Sequence, residues 1–151
     1  MKLTTLAYIE KEDKYLMIHR TKKENDPNHD KWIGVGGKLE KDESPDECMI
    51  REVKEETGLD VTGYRFCGIV TFLSDIWETE YMFLFEVKEY SGELSECSEG
   101  ELEWVEKSRI PDLHIWEGDR LFLERMQAGG GFFSLMVRYE GDSLADWKFF
   151  E

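Results

Sequence analysis

The chain has little of what marks secreted, membrane-bound or nucleic-acid-binding proteins. Its three cysteines, Cys48, Cys67 and Cys97, are odd in number and form no C-x-x-C pair, which indicates neither a disulfide framework nor a zinc site. A reducing, cytoplasmic compartment is therefore expected. Nowhere do about eighteen apolar residues run together, and the start, MKLTTLAYIEKEDKY, has no signal-peptide core, so no membrane partner is expected. Basic residues are scarce: 19 Lys and Arg stand against 34 Asp and Glu, and the net charge of −15 opposes binding to a nucleic-acid polymer. Internal repeats, low-complexity tracts and interdomain linkers are absent too. At 151 residues the chain has the size of one domain, expected to span residues 1–151 around one core.

What is present is punctuated β-rich sequence with two helical stretches. Residues 3–9 and 15–19 read as short strands joined by a polar turn, a hairpin, and residues 21–31 read as a loop leading to Trp32 and the segment GVGG. Residues 61–73 and 80–87 are rich in β-branched and aromatic residues, and the second reads as a buried strand. Residues 102–105 make a further strand broken at Ile110-Pro111, and residues 119–127 a helix ended by three glycines. Residues 132–139 and 144–150 flank Gly141-Asp142 as a terminal hairpin.

From Gly36 the chain reads GGKLEKDESPDECMIREVKEETGL, ending at Leu59. Ser44-Pro45-Asp46-Glu47 is a helix start, with serine as N-cap, proline at the first helical position and glutamate completing a capping box. Gly58 is the stop. Between them Glu52, Glu55 and Glu56 stand at i, i+3 and i+4, so their carboxylates share a face, while Met49, Ile50 and Val53 form a neighbouring apolar arc. Like charges so placed cost a few tenths of a kcal/mol each, and they lie toward the negative end of the helix dipole. Divalent cations with a preference for hard oxygen ligands, magnesium or manganese, would relieve that conflict.

Gly37, Glu43, Arg51, Glu52, Val53, Glu55, Glu56, Gly58 and Leu59 match the signature box of the Nudix hydrolases, with a chance probability on the order of 10⁻⁷ per start position. The resemblance implies an α/β fold, a mixed β-sheet sandwiched between helices (α/β/α), here with a C-terminal β-hairpin. It implies hydrolysis of a nucleoside diphosphate linked to another group, with Mg²⁺ as cofactor and Mn²⁺ as substitute. Glu52, Glu55 and Glu56 are the expected metal ligands, joined by the backbone carbonyl at Gly36 and by Glu99. Arg51 orients the glutamates and Glu43 pairs with it. Family members take the proton from water with a box glutamate or with one on a distal loop, where this chain offers Glu99; Glu101 and Glu103 are expected to face solvent. Arg20 and Lys38 are candidate phosphate contacts, though either would serve equally as an ordinary surface charge.

Outside the box, KWIGVGGKLE, EGELEWV and IWEGDRLFLE are most similar to the MutT-like oxidised-purine nucleoside triphosphatases. That likeness implies a nucleoside triphosphate substrate, 8-oxo-dGTP foremost, cleaved to monophosphate and pyrophosphate. Trp116 and Asp119 match base-contacting positions of the vertebrate branch, and Phe72 fits an aromatic wall or a plain core position. Two positions depart from that branch: Ile33 stands where it has asparagine, and Gly118 where it has aspartate. Signals of other branches are missing, including a proline between Pro45 and Pro111. A Nudix hydrolase of another diphosphate-linked nucleoside, or a nucleotide-sensing domain without hydrolysis, remain alternatives.

Overall fold

The computed structural model describes residues 1–151 and places a single mixed sheet between two helical layers. In chain order the elements are β1 (Lys2–Lys11), β2 (Lys14–His19), β3 (Trp32–Ile33), α1 (Pro45–Thr57), β4 (Asp60–Ser74) and β5 (Glu80–Ser91). Then come β6 (Glu101–Glu106), a 3₁₀ turn (Lys107–Asp112), α2 (Asp119–Gln127), β7 (Phe133–Glu140) and β8 (Ser143–Phe150). The strands run in the order β3-β2-β1-β5-β4-β7-β8, with β6 on the other edge of β2. β1 is parallel to β5 and β4 to β7, and the remaining pairs are antiparallel.

β1 is buried without interruption from Thr4 to Ile9, as a strand covered on both faces must be. Leu6 and Tyr8 enter one core with Tyr15, Met17, Leu84 and the α2 residues Phe122, Leu123 and Met126. Ala7 and Ile9 enter the other with Leu16, Ile18, Phe85 and the α1 residues Met49 and Val53. The period of two thus sorts one sequence into two cores.

The β1–β2 hairpin pairs only near its turn, from Lys11 with Lys14 to Ile9 with Leu16. Beyond it the strands part, β3 takes the vacated edge of β2, and the segment after β3 comes to lie along β1. Ala7 and Val35 exchange backbone hydrogen bonds of 2.6 and 2.8 Å, and the Thr5 N–H donates to the Gly37 carbonyl at 2.8 Å. A Cβ at Gly36 would overlap the Thr5 carbonyl, and one at Gly37 would sit 2.5 Å from the Glu52 carboxyl carbon. The glycine pair is therefore required by close approach, which brings the loop against both β1 and α1.

α1 begins as its sequence demands. The Ser44 Oγ accepts from the Glu47 N–H at 3.1 Å, the Glu47 carboxylate accepts from the Ser44 N–H at 3.0 Å, and Gly58 closes the helix at φ 83°. Its packing arc differs from expectation at one residue. Ile50 is exposed, and Cys48 joins Met49 and Val53 in the interior. Positions 48, 49, 52, 53, 56 and 57 form one stripe at helical spacing, whereas Ile50 lies about 100° round from Met49. Burying Met49 and Val53 contributes roughly 1.5–3 kcal/mol each, more than the like-charge cost of the acidic face, so packing decides where the helix sits. β6 ends at Glu106, and Ile110-Pro111 lies in the 3₁₀ segment that follows it.

Candidate active site

The packing stripe of α1 separates the three glutamates. Glu52 and Glu56 stand at its edge, with the Glu52 side chain 15% exposed and Glu56 8% exposed, whereas Glu55 turns outward at 57%. Arg51 ties the helix to the preceding loop. Its Nε and Nη2 make a fork to both Glu43 oxygens at 2.7 and 2.9 Å, and Nη2 also reaches the Lys38 carbonyl at 3.1 Å. Its Nη1 donates to Glu52 at 2.8 Å and to Glu55 at 3.1 Å. The fork holds the Glu43 carboxyl down at about 2.

Glu56 has no such cation. Its Oε2 accepts one long hydrogen bond, 3.3 Å, from the Gly36 N–H. Burial, aggravated by the charges of Glu52 and Glu99, pushes its pKa up to about 8 although Arg20 pulls the other way. Burial raises Glu52 as well, against the pull of Arg51. Two half-desolvated carboxylates side by side are the donor set that a divalent cation would neutralise, and the neighbouring Gly36 carbonyl accepts no backbone hydrogen bond. The residues therefore fit the cation, although no three carboxylates already converge on one point.

Glu99, on the loop before β6, comes to the same region. It is bridged by Lys23 at 2.9 Å and lies 3.2 Å from Arg20 Nη2, where its buried Oε2 makes no aligned hydrogen bond. Glu101 and Glu103 are exposed. Arg20 is itself held, its Nε donating to Asp26 at 2.8 Å.

A cavity of about 390 Å³ opens beside these residues. It is bounded at one end by Arg20, Gly36 and Gly37, and at the other by Phe72, Trp116, Gly118, Asp119 and Tyr139. Arg20, Phe72, Trp116 and Asp119 are thus brought together with the box glycines, while the exposed Lys38 is not part of the wall. Phe72 and Tyr139 meet Trp116 edge to face at 5.5 and 4.9 Å between ring centres. Lys31, buried, lies 4.4 Å above the indole. Trp32 is outside this cavity, stacked on His19.

Asp119, the first residue of α2, is buried with no side-chain partner in the protein. Burial and the negative charge of Glu80 push its pKa up to about 8, against the opposing charges of Arg120 and Lys31. Gly118 is explained by its neighbour: its N–H donates to the Tyr139 hydroxyl at 2.7 Å, and a Cβ would lie 2.8 Å from that oxygen. An aspartate there would collide with β7.

Sequence reasoning missed Asp26, Asn28, Lys31, Trp77, Glu80 and Tyr139. Nothing local signals them, because they lie on a polar loop or on strands and meet only when β1, β5, β4 and β7 are aligned.

Comparison with known proteins agrees with this geometry. The NUDIX domain profile matches residues 2–126. An uncharacterised Nudix hydrolase of Bacillus subtilis is 33% identical over 132 residues, 84% of this chain and 80% of that one. The oxidized purine nucleoside triphosphate hydrolase of Danio rerio is 35% identical over 98 residues, 64% of this chain and 62% of that one. The crystal structure of a MutT protein from Bacillus halodurans superposes with a TM-score of 0.87 over 99% of this chain and 97% of that one, at 24% identity, a likeness of fold. No helix is long and apolar enough to cross a membrane. With its box helix, its mixed sheet and the profile match over most of its length, the chain belongs to the Nudix hydrolase family.

Proposed function

We propose that this Nudix hydrolase is a magnesium-dependent nucleoside triphosphate pyrophosphohydrolase, with manganese able to substitute, acting on 8-oxo-dGTP and related oxidised purine nucleotides. The products are the nucleoside monophosphate and pyrophosphate. The observation that carries this reading is the single cavity joining the box glycines to an aromatic wall. Its volume, about 390 Å³, falls in the range of nucleotide-sized pockets. Similarity to the Danio rerio oxidized purine nucleoside triphosphate hydrolase supports the substrate class.

Glu52, Glu56 and the Gly36 carbonyl would hold the cation, with Glu55 and Glu99 as further oxygen donors. When bound, it neutralises phosphate oxygens and acidifies a coordinated water. A chain of net charge −15 needs that neutralisation, because its own field repels a polyphosphate. Arg51 keeps Glu52 and Glu55 oriented from behind. Glu99 and the box glutamates are the carboxylates in reach of a water proton, and Arg20 stands at the phosphate end once it exchanges a carboxylate partner for substrate. At neutral pH Asp119 keeps its proton and offers the base one O–H donor and one carbonyl acceptor.

The test is turnover of 8-oxo-dGTP, dGTP and a nucleoside diphosphate sugar, with Mg²⁺ or with chelator, products being resolved by anion exchange. Magnesium-dependent release of monophosphate and pyrophosphate is expected. Release of orthophosphate and diphosphate would overturn the cleavage site, and faster turnover of the sugar-linked compound would overturn the substrate.

A further inference from the structure

Asn28 enters the cavity wall with an oriented amide. The Trp116 indole N–H donates to its Oδ1 at 2.6 Å. An indole nitrogen only donates, so the oxygen end must face Trp116 and the two Nδ2 hydrogens must face away from it. They have no partner within the protein, since the other hydrogen bonds of Asn28 run through its backbone. Those bonds brace the residue: its N–H donates to Asp26 at 3.1 Å, and its carbonyl accepts from the Lys31 N–H at 2.8 Å. Asp26 in turn holds Arg20. The amide is therefore preorganised on both sides.

Near Trp116 the other polar groups are engaged or of different character. The Thr4 hydroxyl donates to Glu80, and the Tyr139 hydroxyl, which accepts from the Gly118 N–H, keeps a single O–H that can turn toward donor or acceptor partners, unlike the two fixed amide hydrogens of Asn28. Ile33, at the position where related chains carry asparagine, offers no hydrogen bond. Asn28 reaches the cavity from a different place in the chain and supplies the donor that Ile33 lacks.

We propose that Asn28 determines base specificity in this site, its free amide hydrogens pairing with a carbonyl oxygen on the purine edge and favouring oxopurines over aminopurines. This rests on the nucleoside triphosphate reading above. A carbonyl accepts both geometry and charge of the N–H donor, whereas an exocyclic amino group in that place sets donor against donor and leaves both unpaired. Asn28 is half-buried in the free protein, and a bound base would cover it; donors left unpaired beneath a ligand discriminate by roughly 10- to 100-fold or more.

The test compares kcat/KM for 8-oxo-dGTP, dGTP and dATP in the wild type, Asn28→Asp and Asn28→Ala. Asn28→Asp keeps the acceptor for Trp116 and replaces the donors with an acceptor. Its kcat/KM for the two oxopurine nucleotides should fall roughly 10- to 100-fold, mainly through KM, while that for dATP holds or rises. Asn28→Ala should lose the same preference without the gain for dATP. Stacking tolerates any base, so a uniform fall for all three nucleotides would assign Asn28 only to positioning Trp116 and would overturn the proposal. Unchanged ratios would overturn it as well. If the wild type hydrolyses no triphosphate, the proposed reaction fails, and the base preference is then judged from binding of 8-oxo-dGMP and dAMP by tryptophan fluorescence. Equal affinities, or a preference untouched by both substitutions, would refute it; a preference for 8-oxo-dGMP lost in both variants would sustain it.

Discussion

Asp119→Asn should make the protein progressively more stable than the wild type as pH rises. Asp119 is 7% exposed, lacks a side-chain partner and has its pKa raised from 3.8 to about 8, by burial first and by Glu80 second. Between those values the native state holds a proton that the unfolded chain has released. Its contribution is complete below about pH 4 and is lost as pH climbs toward about 8, at up to about 1.4 kcal/mol per pH unit. Asparagine has the same shape and no charge. From pH 5 to pH 7.5 the stability difference between variant and wild type should therefore widen by about 3 kcal/mol. Glu56 and the other titrating groups are common to both proteins and cancel in the difference. Urea unfolding followed by tryptophan fluorescence at several pH values measures it. Parallel stability curves would refute the reasoning, because they would mean that Asp119 is ionised in the native state.

Glu56→Gln should lower magnesium-dependent turnover by about 100-fold or more while the metal-free melting temperature at neutral pH holds or rises, since a carboxyl that must take up a proton on burial is replaced by a neutral amide; near-normal turnover would sink its place as a ligand. Gly118→Ala forces a Cβ to 2.8 Å from the Tyr139 hydroxyl and 2.9 Å from Val137 Cγ1. It should cost about 1–3 kcal/mol, visible as a lower melting temperature, and an unchanged one would contradict the contact. Ser44→Ala removes the cap of α1 and should cost about 1 kcal/mol in urea unfolding with the substrate preference intact; a shift in preference would mean that the helix start does more than anchor the box.

The limits of sequence reasoning are clearest in α1. Its start at Ser44, its stop at Gly58 and the spacing of Glu52, Glu55 and Glu56 were legible because caps and helical periodicity are local. Which glutamates are desolvated was not legible, because that depends on how the packing stripe meets the sheet: Glu52 and Glu56 flank Val53, and Glu55 does not. The same division holds along the strands. The apolar centre of residues 80–87 marked β5 as a buried strand, and residues 3–9 and 132–139 read as strands, but the departure of β1 from β2, which admits the loop at Gly36 and Gly37, follows from backbone pairing that no residue pattern announces.

By itself the sequence determined the box helix, the family's chemistry and the charge that calls for a cation, since each depends on residue type and on spacing within a few turns. Tertiary structure alone decided the aromatic wall of the cavity. Asn28 and Trp116 come from loops, Phe72 and Tyr139 from β4 and β7, and Asp119 from the start of α2, all but Trp116 and Asp119 far apart in the chain, and their hydrogen-bonding character is set by their surroundings. The indole N–H orients the Asn28 amide, and burial raises the pKa of Asp119.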